Sequence, residues 1–177
     1  MIVPERLAMS PSSLFAAIIP VLCGLIGVAL SNLPISLTGG AVPSPLLGFM
    51  AVYFWSLVRP DLMPPAGAFL IGLAQDLLAG GPLGFWTASF VASYALLDRQ
   101  RESFAGLAGI GALLGFALAA FFACATAYVI AWIYFWHAPP LTPLALQLAV
   151  TIVCYTLVLP VLNGIQHKIV GPLRSEF

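Results

Sequence analysis

The sequence predicts an all-α, polytopic membrane protein with six transmembrane helices in a single integral membrane domain that spans residues 1–177. Hydrophobic residues make up 62% of the chain and charged residues only 7%, with a mean hydropathy of +1.07. Soluble domains do not have this composition. Long apolar stretches separated by turn residues, and basic residues confined to alternate connections, support the same fold class.

The apolar stretches predict helices at 12–31, 43–58, 64–80, 83–97, 108–135 and 141–165. Arg6 and the apolar run after it are interpreted as the start of an uncleaved first helix, because the run is longer than a signal-peptide core. Several helices have only about 15 to 17 residues, whereas about 20 are needed to cross a bilayer upright. We therefore expect local thinning of the bilayer.

The short connections indicate how the middle helices pack. Residues 59–63 are followed by Pro64, which limits the connection between the second and third helices. The third helix ends in Gly80, Gly81, Pro82 and Gly84, which predict a glycine cap and a very tight turn. The second, third and fourth helices should thus form one compact unit.

The basic residues predict the orientation. One uncharged helix over 108–135 leaves the first, third and fifth connections without Lys or Arg, and this pattern places both termini in the cytoplasm. A break near Gly111 or Gly115 would add a crossing and destroy the pattern. The six basic residues are Arg6, Arg59, Arg99, Arg101, Lys168 and Arg174.

Composition and motifs also exclude function classes. A net charge of +0 without a basic cluster argues against nucleic acid. No cysteine or histidine spacing matches a metal site, so we expect no metal and no cofactor. Asp76 is the only acid within an apolar stretch, which leaves no second carboxylate for hydrolysis, so we expect no enzyme.

Asp76 is the main candidate functional residue, because an ionisable group at membrane depth is costly. With Ala68, Gly72 and Gly80 it forms a ridge at four-residue spacing, where another helix can approach closely. The negative end of the same helix favours the neutral carboxyl form. The candidate neutral hydrogen-bonding partners are Ser89, Tyr128, Gln147 and Asn163, and the sequence does not choose among them.

Gly111 and Gly115 begin a second ridge of small residues, which Ala119, Ala123 and Ala127 continue. This ridge could pack within the chain or against a partner. The aromatic residues are interpreted as interfacial anchors. Trp86, Trp132, Tyr134 and Trp136 are assigned to the outer interface, and Tyr53, Trp55 and Tyr94 to the inner one.

Residues 45–84 contain a distinctive set of residues: Pro45, Tyr53-Phe54-Trp55, Arg59-Pro60, Phe69, Gly72, Asp76-Leu77-Leu78, Gly80 and Leu83-Gly84. With these residues the segment resembles the MreD family of bacterial rod-shape-determining proteins. It implies a helical arrangement similar to the S components of energy-coupling-factor transporters. It also implies a location in the bacterial inner membrane.

The same resemblance implies a non-enzymatic adaptor of the cell-elongation complex, which supports cell-shape control and peptidoglycan synthesis. Its direct partners would be membrane lipid and the transmembrane helix of MreC, which the two small-residue ridges would receive. MreB, RodA and a penicillin-binding transpeptidase would be indirect partners. The alternative is a membrane subunit that, like an S component, binds a small molecule or lipid near Asp76.

Overall fold

The computed structural model describes residues 11–33, 43–105 and 110–170, and of these the side chains at 11–17, 105 and 169–170 are not described. This part of the chain is helical with no strand, which confirms the predicted all-α class. A 3-10 turn (Pro60–Leu62) follows α2, and a π turn (Gln166–Val170) ends the described chain. The helices are α1 (Pro11–Ser31), α2 (Leu47–Val58), α3 (Pro65–Ala79), α4 (Phe85–Arg99), α5 (Arg101–Ala105), α6 (Ile110–Phe135) and α7 (Leu141–Ile165).

Some boundaries differ from the sequence prediction. Helix α2 begins at Leu47 rather than at residue 43, because residues 43–46 are not helical. The short helix α5 was not predicted, since its sequence RESFA is polar and falls in an expected loop. Helix α6 runs unbroken from Ile110 to Phe135, past Gly111 and Gly115. Arg6 and Arg174 lie outside the described residues.

Helix α2 is the centre of the bundle. Every residue from Gly48 to Ser56 is buried, and α2 packs on α1, α3, α4, α6 and α7. A helix that is apolar on all sides can be covered in this way, because no polar face has to reach water. Its sequence, LGFMAVYFWSLV, has no charged residue.

Two helices, α6 and α7, are long and apolar enough to span a membrane by length and composition. They are covered by protein to different extents. In their most apolar windows, 39% of the α6 residues but only 11% of the α7 residues are buried. Most of the α7 surface is therefore available to lipid or to another protein.

Several aromatic residues lie in the core rather than at an interface. Tyr53, Trp55, Trp86 and Tyr94 are all buried, so their assignment as interfacial anchors was wrong. The Tyr94 hydroxyl group also donates a hydrogen bond to the Met63 carbonyl oxygen, at 2.8 Å. A cluster of neighbouring helices covers these positions, which the spacing of aromatics in the sequence cannot show. In contrast, Trp132, Tyr134 and Trp136 are exposed.

The connections that carry basic residues meet at one end of the bundle. Both the 3-10 turn and the π turn contact α1, and both the 3-10 turn and α5 contact α2. Arg59, Arg101 and Lys168 therefore share one end of the molecule. The turn around Gly81 and the connection between α6 and α7 lie away from it, since each follows a helix that leaves this end.

Candidate functional site

Asp76 is buried at 1% exposure on α3, and both of its carboxyl oxygens are occupied. Oδ1 accepts a hydrogen bond from the Trp86 backbone N–H at 2.7 Å. Oδ2 accepts from the backbone N–H groups of Gly84 at 2.9 Å and Thr87 at 3.1 Å, and from Thr87 Oγ1 at 2.6 Å. The carboxyl group thus binds the first turn of α4 from a neighbouring helix.

This arrangement has a clear physical reason. The first N–H groups of any helix lack partners within the helix, and a side chain at the helix start usually accepts from them. Helix α4 follows Gly84, which has a φ of 97° and no side chain to act as a cap. Asp76 supplies the missing acceptor, eight residues earlier in the chain.

The hydrogen bonds also revise the electrostatic argument. All four partners of the carboxyl group are donors, and the start of α4 is the positive end of its helix dipole. Asp76 therefore faces the positive end of α4 as well as the negative end of α3. The prediction of a neutral carboxyl group took account of the end of α3 only. A glycine at the start of a helix, with an acid on the preceding helix, was the available signal.

The expected partners of Asp76 were wrong where the structure shows their bonds. Ser89 Oγ donates to the Phe85 carbonyl oxygen at 2.8 Å, and Gln147 Nε2 donates to the Ser44 carbonyl oxygen at 3.2 Å. Thr87, which the sequence analysis did not name, is the side chain that bonds to Asp76. With both oxygens engaged and 1% exposure, Asp76 presents no group to a ligand.

The ridge on α3 packs within the chain. A methyl group added at Gly72 would lie 2.6 Å from Thr87 Cα, so α3 and α4 touch backbone to backbone there. Ala68 is also fully buried. The expectation that Ala68, Gly72 and Asp76 receive a partner's helix is therefore contradicted, because α4 already occupies that face.

The turn that follows α3 is open. Gly80 ends the helix with a φ of 68°, and added methyl groups at Gly80, Gly81 and Gly84 would meet no atom within 4 Å. Pro82 lies between them and accepts a hydrogen bond from the Phe85 N–H. These residues shape the turn, and the positive φ values at Gly80 and Gly84 explain why glycine stands there.

The ridge on α6 is internal as well. Gly115 and the alanines after it are buried, and α6 packs along α4. The ridge was expected to pack either within the chain or against a partner, and Gly115 packs within the chain. Gly111 is half-buried and, with Gly115 and Leu114, borders a cleft of about 350 Å³ beside Gln100 and Phe104.

An apolar groove remains open between α1 and α7, with α2 as its floor. It has a volume of about 280 Å³. Ile26 and Leu30 of α1 form one wall, Val158 and Val161 of α7 form the other, and Ala51 of α2 lies between them. This groove is one of the openings along α7 that the bundle leaves uncovered.

The other acids of the described residues lie at the basic end. Asp61 pairs with Arg59 at 2.9 Å and Asp98 with Arg101 at 2.6 Å. The hydrogen bonds from the Arg59 guanidinium hold the pKa of the Asp61 carboxyl below its ordinary value. No group of three metal-binding side chains occurs within the part of the chain that the structure describes.

The site thus consists of a structural carboxylate enclosed between α3 and α4, and of a separate groove between α1 and α7. Neither feature by itself names a family. Comparison of the chain with models of known protein families, with curated proteins and with solved structures gave no significant match.

Proposed function

We propose that the chain is a non-enzymatic adaptor of the MreD type in the bacterial inner membrane. In this proposal six helices cross the membrane, namely α1 to α4, α6 and α7. Both termini are in the cytoplasm, and the arrangement is like that of transporter S components. The direct partner is MreC, and MreB, RodA and a penicillin-binding transpeptidase are reached through it. The sequence of residues 45–84 is the basis of the proposal.

Two structural features support the membrane part of the proposal. Helices α6 and α7 have the length and composition of membrane spans. The connections with Arg59, Arg101 and Lys168 meet at one end of the bundle, as the positive-inside rule requires of alternate connections. The α3 and α4 helices have 15 residues each, about 22 Å, so the bilayer has to thin beside them.

The proposed binding of MreC rests on one observation, the large exposed surface of α7. Only 11% of its most apolar window is buried, and the groove between α1 and α7 has apolar walls. Both small-residue ridges are used inside the chain, so they no longer compete as docking sites. We therefore assign the transmembrane helix of MreC to this groove, where it would contact Ile26, Val158 and Val161.

Site-specific photo-crosslinking tests this assignment. A photoreactive phenylalanine analogue is placed at Leu157, which lines the groove and is 70% exposed. The matched control position is Leu118 on α6, which is 58% exposed but outside the groove. The protein is expressed in full with MreC of the same organism, and the products are analysed by immunoblotting.

We expect a crosslink to MreC from position 157 and none from position 118. A crosslink from position 118 alone would move the interface to α6. If MreC does not co-purify with the unmodified chain under conditions that preserve both proteins, the adaptor proposal itself is wrong.

The alternative function, ligand binding near Asp76, relied on a carboxyl group that is free to contact a ligand. The carboxyl oxygens are engaged by α4 and the side chain is buried. A bound molecule would have to break these four hydrogen bonds before it could contact Asp76.

A further inference from the structure

A cavity of about 340 Å³ lies at the basic end of the bundle, where α2 and α7 end and α6 begins. Its wall is mainly apolar and includes Leu57 of α2, Phe104 of α5 and Leu159 of α7. Its volume is within the range of small-molecule sites, about 300–1,000 Å³. It is separate from Asp76 and from the groove between α1 and α7.

Three polar side chains also line this cavity: Tyr53, Tyr155 and Asn163. Each tyrosine is only 3% exposed. Neither hydroxyl group, nor the amide of Asn163, forms a hydrogen bond with any residue that the structure describes. Both tyrosines line the cavity, and neither hydroxyl group is among the fully enclosed polar groups that lack a partner.

The aromatic rings that carry these hydroxyl groups are held in place. Tyr155 stacks on Phe116 with ring centroids 3.8 Å apart. Tyr53 packs edge-on against both rings, at 5.8 Å from Tyr155 and 5.2 Å from Phe116. Fixed rings lose little conformational freedom when their hydroxyl groups bind something, which favours binding.

A buried hydroxyl group without a partner is costly, and buried polar groups in folded proteins are nearly always satisfied. At this cavity the protein supplies no partner from its described residues. The partner of each hydroxyl group is then a molecule in the cavity, either water or a ligand.

We propose that the cavity binds the uncharged, hydroxyl-bearing end of a membrane lipid. No Lys, Arg, His, Asp or Glu is among the described residues that line it, so a charged group would be left unpaired. Two phenolic hydroxyl groups and one amide can both donate to and accept from an alcohol. The apolar wall fits the first part of the hydrocarbon chain. The site is distinct from the adaptor function and rests only on the membrane location.

The hydroxyl group can come from two sources, a diacylglycerol or a free long-chain alcohol. Binding to the full-length protein in dodecyl maltoside is measured by microscale thermophoresis with four probes. Dioleoylglycerol and oleyl alcohol carry the hydroxyl group, 1-octadecene lacks it, and oleate replaces it by a charge. The better of the first two probes identifies the source.

We expect at least one hydroxyl probe to bind about fivefold or more tightly than 1-octadecene and oleate. Tyr53→Phe and Tyr155→Phe should each weaken it about three- to tenfold, the value of one hydrogen bond. Tyr134→Phe, which changes an exposed tyrosine on α6, should leave the affinity unchanged. Because the two buried hydroxyl groups have no partner in the described protein, their removal should not lower the melting temperature.

Ala112→Leu provides a second test, since it fills part of the cavity without removing a polar group. It should abolish binding of the hydroxyl probe. Equal affinity for 1-octadecene and oleyl alcohol would overturn the proposal, and so would unchanged affinity in the Tyr53→Phe/Tyr155→Phe double variant. Either result would mean that the cavity holds water or unspecific hydrocarbon only.

Discussion

At the scale of single residues, Asp76 is an isolated acid in an apolar helix when seen in the sequence, and the cap of another helix when seen in the structure. Its four donors lie on the first turn of α4. The sequence revealed that this carboxyl group needed an explanation, because an acid at that position is costly. It could not reveal the partners, since three of the four are backbone groups, which every residue type possesses.

We predict that Asp76→Ala lowers the free energy of unfolding by about 3 kcal/mol, because four buried donors lose their acceptor. Asp76→Asn should also destabilise, since its NH₂ group must face N–H or O–H donors on one side. Thermal unfolding in detergent, followed by circular dichroism, measures both effects. Thr87→Val, which removes only one of the four bonds, should show a smaller loss. A melting temperature of Asp76→Asn equal to that of the wild type would contradict the requirement for two acceptor oxygens at this helix start.

A second prediction concerns pH. Arg59 lowers the pKa of Asp61 in the folded state. The ion pair therefore stabilises the fold above the unfolded pKa of about 3.9, and this contribution disappears as the pH falls through the folded pKa. Because Asp61 is 51% exposed, solvent screening limits the effect to about 0.5 kcal/mol. Melting temperatures of wild type and Asp61→Asn should differ slightly at pH 7 and coincide near pH 2. A difference in melting temperature that grows on acidification would contradict a stabilising ion pair between Arg59 and Asp61.

Tyr94 allows a third prediction. Its hydroxyl group bonds to the Met63 carbonyl oxygen, so Tyr94→Phe should cost about 1 kcal/mol of stability. Tyr53→Phe changes another buried tyrosine, whose hydroxyl group has no described partner, so it is the control and should cost less. Equal destabilisation of the two variants, measured by thermal unfolding, would show that the two hydroxyl groups do not differ in bonding.

At the scale of elements, the contact between α3 and α4 depends on Gly72. The predicted change is Gly72→Ala, whose methyl group would meet the Thr87 backbone and force the helices apart at a cost of about 1–3 kcal/mol. Gly81→Ala is the control, because nothing lies near that position, and it should change stability by less than about 0.5 kcal/mol. Thermal melting curves of the two variants provide the test. Equal stability would mean that α3 and α4 do not touch at Gly72.

The helices also show how much of the fold could be predicted from the sequence. Apolar runs and turn residues were sufficient to predict an all-α chain and the tight turn at Gly80 and Gly84, because both depend on local chemistry. They could not show which side of a helix faces protein. The ridges of Gly72 and Gly115 are equally suited to internal packing and to a partner, and only the neighbouring helices decide between them. Tyr53 and Trp55 were misassigned for the same reason, since an interfacial aromatic and a core aromatic look alike in sequence.

At the scale of the whole molecule, the proposed topology makes a prediction about access to the two ends. Leu83→Cys lies in the turn between α3 and α4 and Glu102→Cys in α5, both at exposed positions. In intact spheroplasts a membrane-impermeant maleimide should label position 83 and not position 102. After permeabilisation both should react, and the unmodified chain serves as the control. The opposite labelling pattern would invert the topology.

The cap between α3 and α4 also has a consequence for biosynthesis. Helix α3 leaves the ribosome before α4, and until the first turn of α4 exists the Asp76 carboxyl group has none of its four donors. In the proposed membrane topology, an aspartate in a lone helix opposes insertion, by up to about 3 kcal/mol at the helix centre. Insertion of α3 into the bilayer should therefore be delayed until α4 has been synthesised. The two helices would then enter the bilayer together as a hairpin whose carboxylate is already paired.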